Sequence, residues 1–169
     1  MLEAWTNFYV MTGTSAAALI GLTFVVITVT VAAIRSDANP THDGISTFTT
    51  PIVVHFGTAL LTSAIFCAPW WSPRPPATIA GFLGLIGIVY SLRVALRARR
   101  LDSYRLDAED WTWYHIVPSI LYVLLFAGSL FLGAAHQAGV YAVAAAVLGL
   151  LFVGVRNSWD VVTYLVVRR

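Results

Sequence analysis

The chain has 169 residues, yet it contains no lysine, one cysteine, two methionines and few charges of either sign. Charged residues occupy 11% of positions, where soluble domains carry roughly 25%. Hydrophobic residues reach 59%, so a water-facing surface cannot be covered and a soluble globular fold is excluded. A single thiol, Cys67, rules out an intramolecular disulfide; its apolar setting reads as packing. Also missing are G-x-S-x-G, H-E-x-x-H, C-x-x-C and Walker-type runs, so none of these signatures points to an enzyme. Nucleic acid is not an expected partner.

What the chain does have is long apolar segments. A bilayer core of roughly 30 Å needs about 20 apolar residues per helix. Five stretches qualify, at about 8–34, 48–71, 77–97, 113–135 and 138–157, the last with helix continuing toward 167. They predict an all-α polytopic transmembrane helix bundle forming one integral membrane domain. The alternative is four spans with one re-entrant segment. The start, MLEAWTNFYV, has no basic region, and the apolar stretch after it exceeds the roughly 7–15 residues of a signal-peptide core, so the first segment is expected to remain as a span.

Five spans put the termini on opposite sides, and the arginines then sort by side. Arg35, the loop from Arg93 to Arg105 and the C-terminal Arg168 and Arg169 share one side, eight against Arg74 alone on the other. The positive-inside rule predicts an outer N-terminus and a cytoplasmic C-terminus. Trp5, Tyr9, Trp70, Trp71 and Tyr141 at one level, and Trp111, Trp113, Tyr114, Trp159 and Tyr164 at the other, fit two interfacial belts. In the arginine-rich loop Arg105 and Glu109 are spaced for a helical ion pair, on a segment that meets anionic headgroups or a partner.

Small residues recur every four positions at Gly13, Ala17 and Gly21 in the first span and at Ala138, Ala142 and Ala146 in the fifth, with Ser129 and Gly133 in the fourth. Such faces let helices approach closely in lipid. The hydroxyls of Thr12, Ser15, Thr23 and Thr30 are expected to bond back to their own helix carbonyls.

The stretch GVRNSWDVV breaks the apolar run of the fifth span. A rise of 1.5 Å per residue puts Arg156 about 27 Å from Ala138, near the second interface, so it can snorkel. Arg156 and Asp160 are four apart and can pair; Asn157 lies beside them. His55, Tyr90, Arg93, Tyr114 and His115 are expected at similar depth, a polar cluster from four helices. Ionisable groups at membrane depth are a functional-site hypothesis by default. The readings are an interhelical hydrogen-bond network, a proton- or ion-handling vestibule, or axial ligation of a b-type haem by His55 and His115. His115 and Ser119 are spaced to touch, but no oxyanion hole is evident, and Pro118 between them reads as an early-helix kink.

The N-terminal third, AWTNFYVMTGTSAAALIGLTFVVITVTV with the G-L-x-F-V step at Gly21, Leu22, Phe24 and Val25 and a second span bearing His55, resembles a group of small polytopic bacterial membrane proteins of unknown function. Some of these are labelled "modulator of FtsH protease". The resemblance implies a non-enzymatic protein of the bacterial inner membrane that binds other membrane proteins; it carries over no catalytic residue. Two functions are therefore expected: a structural or regulatory subunit of a membrane complex acting by helix–helix assembly and self-association, or a small homo-oligomeric ion channel with a polar cytoplasmic vestibule.

Overall fold

A computed structural model describes residues 2–35, 43–99 and 108–167 of the chain, without the side chains of 30–35, 43–49 and 164–167. Arg100, Arg105, Arg168 and Arg169 lie outside the described residues, as do the side chains of Thr30, Arg35 and Tyr164. After a 3₁₀ turn at Leu2–Trp5, helix α1 runs Thr6–Arg35, α2 Asp43–Cys67, α3 Arg74–Ala98, α4 Ala108–Gly133 and α5 Gln137–Val167. No strand occurs among the described residues. All five helices are long and apolar enough to cross a membrane, so the chain is a multi-pass membrane protein with five spans rather than four.

Among the boundaries that differ from their expected places, two are set by nearby prolines. Helix α2 stops at Cys67 instead of near 71, because Pro69 disfavours helical backbone at the residue before it. Trp70 then folds back and donates its indole N–H to the Ile65 carbonyl at 2.6 Å. Helix α3 begins at Arg74, three residues early, because Pro75 and Pro76 fall in its first turn, where a missing N–H costs nothing.

Helices α4 and α5 meet at a Schellman turn. Ala135 N–H donates to Leu132 O at 2.8 Å and His136 N–H to Phe131 O at 3.0 Å, with Ala135 at φ 64°. Glycine ordinarily fills that left-handed position, and here alanine does.

The helices do not pack in chain order. Helix α1 lies on α2, α2 on α5, α5 on α4 and α4 on α3, so the last helix is inserted between the first pair and the second. Burial follows from this: of the most apolar 18 residues in each helix, 56% are buried in α5, 50% in α2 and 17% in α1. The face that the bundle leaves outward is apolar, with Met11, Phe24, Phe82, Leu130 and Phe152 all exposed, as lipid contact requires.

Lipid supplies no hydrophobic drive between helices, so close backbone approach has to hold them. One close seam is α3 on α4, made by Ala77, Gly81, Gly84 and Gly87. A Cβ at Gly84 would meet the Phe126 nitrogen at 2.8 Å, and one at Gly87 would enter the Tyr122 ring. Ser129 and Gly133 face this seam as small residues should. On α5, Gly139 abuts the Leu132 backbone, and Ala142 lies against Gly128.

The four-residue repeats read from the sequence meet this packing only in part. Gly13 is buried against Ser63, with a hypothetical Cβ at 3.0 Å, whereas Ala17 and Gly21 are exposed and a Cβ at Gly21 would meet nothing within 4 Å. Likewise Ala146 is buried, Ala142 half-buried and Ala138 exposed. A step of four residues turns a helix by about 40° beyond a full circle, so a strict repeat drifts off the contact line. The buried line of α1 follows Tyr9, Thr12, Gly13 and Ala16 instead.

Two substitutions test this packing by thermal unfolding in detergent. Gly139→Ala should cost roughly 1–3 kcal/mol through overpacking, while Gly57→Ala, where a Cβ meets nothing within 4 Å, should be neutral or stabilising. Ala135→Gly should gain about 1 kcal/mol by relieving the left-handed residue; a loss of stability there would contradict the turn.

Candidate functional site

Helix α4 is not uniformly α-helical. Its first turn, Ala108–Trp111, passes into a π-helical turn over Thr112–Ile116 before the regular body Val117–Gly133. Val117 N–H reaches back five residues to Thr112 O. Continued by one step, the same register would have residue 118 donate to Trp113 O. Residue 118 is proline and has no N–H, so Trp113 O loses its helical donor. Asn157 of α5 supplies the replacement: its Nδ2 donates to Trp113 O at 3.3 Å. Asn157 is fully buried, and its Oδ1 has no hydrogen-bond partner among the described residues.

Charged groups surround this stitch. Arg156 Nη2 donates to Glu109 Oε1 at 2.5 Å, while its Nη1 is 3.9 Å from Asp160 Oδ2. The strong partner of Arg156 is thus on α4, and the intrahelical pair with Asp160 is the longer contact. Glu109 is engaged by Arg156; Arg105, its expected partner, lies outside the described residues. The guanidinium also sits over the Trp113 ring, 5.0 Å from its centroid, a favourable cation–π position. Tyr114 approaches Asp160 Oδ2 at 3.1 Å and Asn157 O at 3.5 Å. One O–H proton serves one of them, and the closer, charged carboxylate takes it. Glu109 and Asp160 are substantially solvent-facing, so the ion pairs contribute only about 0–1 kcal/mol each. Orientation of α4 against α5 is their main effect.

Of the expected cluster, Tyr114, Arg156, Asn157 and Asp160 come together. His115 is buried next to them, its ring 4.7 Å from that of Trp111 and its Nδ1 without a partner among the described residues. Ser119 donates to the His115 carbonyl at 2.6 Å, so its hydroxyl is committed to backbone, not to the imidazole. Tyr90 is half-buried and Arg93 exposed. Neither is joined to the cluster by a hydrogen bond or ion pair among the described residues.

His55 belongs elsewhere. Counting back from the ends of their helices at 1.5 Å per residue, His55 lies about 18 Å from Cys67 and Tyr122 about 17 Å from Gly133, whereas His115 lies about 27 Å from Gly133. His55 is therefore near mid-bilayer, on a separate level from His115, each imidazole against its own aromatic partner. Its Nδ1 is 2.9 Å from Tyr122 Oη, which in turn is 3.5 Å from Thr58 Oγ1; Thr58 donates to Val54 O at 2.9 Å. His55 is 1% exposed, and its Nε2 has no partner among the described residues. Tyr122 went unnoticed in the sequence, although a tyrosine in mid-span, away from both aromatic belts, is itself a signal.

Toward the other face, Thr12 and Ser63 share a hydrogen bond of 2.9 Å between α1 and α2. The hydroxyls of Thr12, Thr14, Ser15, Thr23 and Thr28 return to their own helix carbonyls, the expected behaviour. No three His, Cys, Asp or Glu side chains gather to hold a metal ion among the described residues.

Fold and sites together define an all-helical integral membrane protein with two internal polar levels. No protein-family model matches the chain, and neither does any curated protein or solved structure.

A double-mutant cycle tests the stitch. Asn157→Leu should cost roughly 1–3 kcal/mol by orphaning Trp113 O. In a Pro118→Ala background, where residue 118 regains its N–H, the same change should cost less than half as much. Costs that simply add would mean that the two residues do not share that carbonyl.

Proposed function

We propose that the protein is a non-enzymatic, self-associating subunit of the bacterial inner membrane, with its N-terminus outside and its C-terminus in the cytoplasm, that acts by binding membrane helices through α1. The observation that carries this reading is the lopsided packing of α1. It rests mainly on α2, 17% of its most apolar 18 residues are buried, and Ala17 and Gly21 form an outward small-residue surface with open space around Gly21. A helix with one intramolecular partner and a small, unfilled second face suits close approach by another helix. Arginine distribution supports the orientation, and the resemblance of the N-terminal third to membrane-protein modulators points to the same kind of role.

Internal and external uses of α1 can be separated by residue. A Cβ at Gly21 meets nothing within 4 Å among the described residues, whereas one at Gly13 comes within 3.0 Å of Ser63, so leucine is accommodated at the first position and crowded at the second. Native mass spectrometry of the gently extracted protein should show more than one copy for the parent and a single chain for Gly21→Leu, with the unfolding temperature of the variant unchanged. A single-chain mass for the parent, or an intact assembly in Gly21→Leu, would overturn the proposal.

A further inference from the structure

The described arginines at the arginine-bearing end divide by what they touch. Arg156 is held by Glu109, and the Arg99 guanidinium lies over the Trp111 ring, 5.4 Å from its centroid. Arg93 and Arg97 of α3 are exposed, and neither has an ion pair, hydrogen bond or ring contact among the described residues. Helix α3 carries no aspartate or glutamate between Arg74 and Ala98, so its own sequence offers them no counter-charge.

Their direction is unusual for a membrane span. Helix α3 lies at the edge of the bundle, packed chiefly on α4 through the seam at Gly84 and Gly87. Arg93 is nine residues beyond Gly84, about two and a half turns, so it projects from the side of α3 that faces away from α4. Ionisable side chains in spans ordinarily face the bundle interior or a wet cavity; this one faces lipid. With about 37 Å of helix for a hydrocarbon core of about 30 Å, Arg93 falls near the core boundary and Arg97 just outside it. A guanidinium at either position reaches the phosphate level along its aliphatic stem.

Deeper in the leaflet, the same side of α3 is apolar. Ile79, Phe82 and Ile86 are exposed, and Tyr90 is half-buried. Together with Arg93 and Arg97 they follow one another at steps of three and four residues, the spacing of a single helical stripe. From Phe82 to Arg93 the stripe is about 17 Å long, close to the roughly 15 Å of hydrocarbon in one leaflet. Tyr90 stands where tail gives way to head, near enough to Arg97 for that charge to act on its hydroxyl.

We propose that this face of α3 is a binding site for one anionic phospholipid of the leaflet on the arginine-bearing side. An acyl chain lies along Ile79, Phe82 and Ile86, and the phosphate is held by Arg93 and Arg97. Guanidinium suits that task, because its paired N–H donors match phosphate oxygens. Two such groups one turn apart favour a headgroup of net negative charge, which supplies the counter-charge that α3 lacks. The Tyr90 hydroxyl donates to the ester oxygens beneath the phosphate. Since α3 and α1 are at opposite edges of the bundle, this site is independent of assembly through α1.

The test is competition between lipids, read by native mass spectrometry. Purified protein in neutral detergent is mixed with equal amounts of phosphatidylglycerol and phosphatidylcholine, and the bound lipid is counted. The parent should retain phosphatidylglycerol in about fivefold preference or more. Combined Arg93→Gln and Arg97→Gln should bring the ratio near one with the melting temperature unchanged, whereas Arg93→Lys with Arg97→Lys should keep part of the preference as point charges. Arg74→Gln, at the other end of α3, should change nothing, and excess inorganic phosphate should not displace the lipid. No preference in the parent, or a preference that survives the double glutamine variant, would overturn the site. Displacement by inorganic phosphate would make it a free-anion site and overturn the lipid assignment.

Discussion

A backbone carbonyl that loses its helical donor has to find another partner, and Pro118 creates such a carbonyl in α4. The arrangement of the second half of the chain depends on how that loss is made good. The π-helical turn Thr112–Ile116 directs the deficit to Trp113 O, and the Asn157 amide arrives from α5 to meet it. Arg156 on Glu109 and Tyr114 on Asp160 hold the two helices in the register this bond requires. Because α5 is also the helix inserted between α2 and α4, fixing its height and rotation fixes both halves of the bundle.

Membrane depth divides the polar groups by task. At the arginine-bearing end, Glu109 and Asp160 are substantially solvent-facing and share Arg156, and these groups act on helix orientation. Near the bilayer centre only uncharged donors and acceptors remain, His55, Tyr122 and Thr58, each held by the next. Between and beyond these levels the apolar core is closed by glycine, with Gly87 admitting the Tyr122 ring and Gly154 the Phe56 ring. Small residues on α3 and α5 are thus what allows two large aromatic side chains to reach the interior. Tyr122 in turn sets which nitrogen of His55 is free.

Much of this architecture is legible in the amino-acid sequence, and what is hidden has a common cause. Five apolar runs of sufficient length specify five helices, and helical rise alone carries Arg156 close to an interface. Local relations also read correctly: hydroxyls return to carbonyls four residues back, and Arg156 faces Asp160 one turn on. Relations between distant residues do not read. Glu109 pairs with Arg156, 47 residues away, a contact that no spacing along one helix shows. His55 seems to belong with His115 until the lengths of α2 and α4 are known, since its level depends on α2 ending at Cys67. The Gly13, Ala17 and Gly21 repeat overreaches because helices touch along lines of three and four, not of four alone. By the same reasoning the threefold spacing of Gly81, Gly84 and Gly87 marks the seam of α3 on α4. Asn157 next to two charges reads as part of an ion-pair site; its actual duty, replacing the N–H that Pro118 lacks, requires knowing that α4 and α5 are neighbours.

The most direct measurement is solid-state NMR on protein in lipid with the Trp113 carbonyl carbon and the Asn157 side-chain nitrogen isotopically labelled. A hydrogen bond between them predicts a dipolar coupling corresponding to a separation of about 4 Å, with the Trp113 carbonyl shift of a bonded group. An uncoupled pair, with the Trp113 carbonyl bonded elsewhere or to nothing, would contradict the stitch and with it the register assigned to α4 and α5.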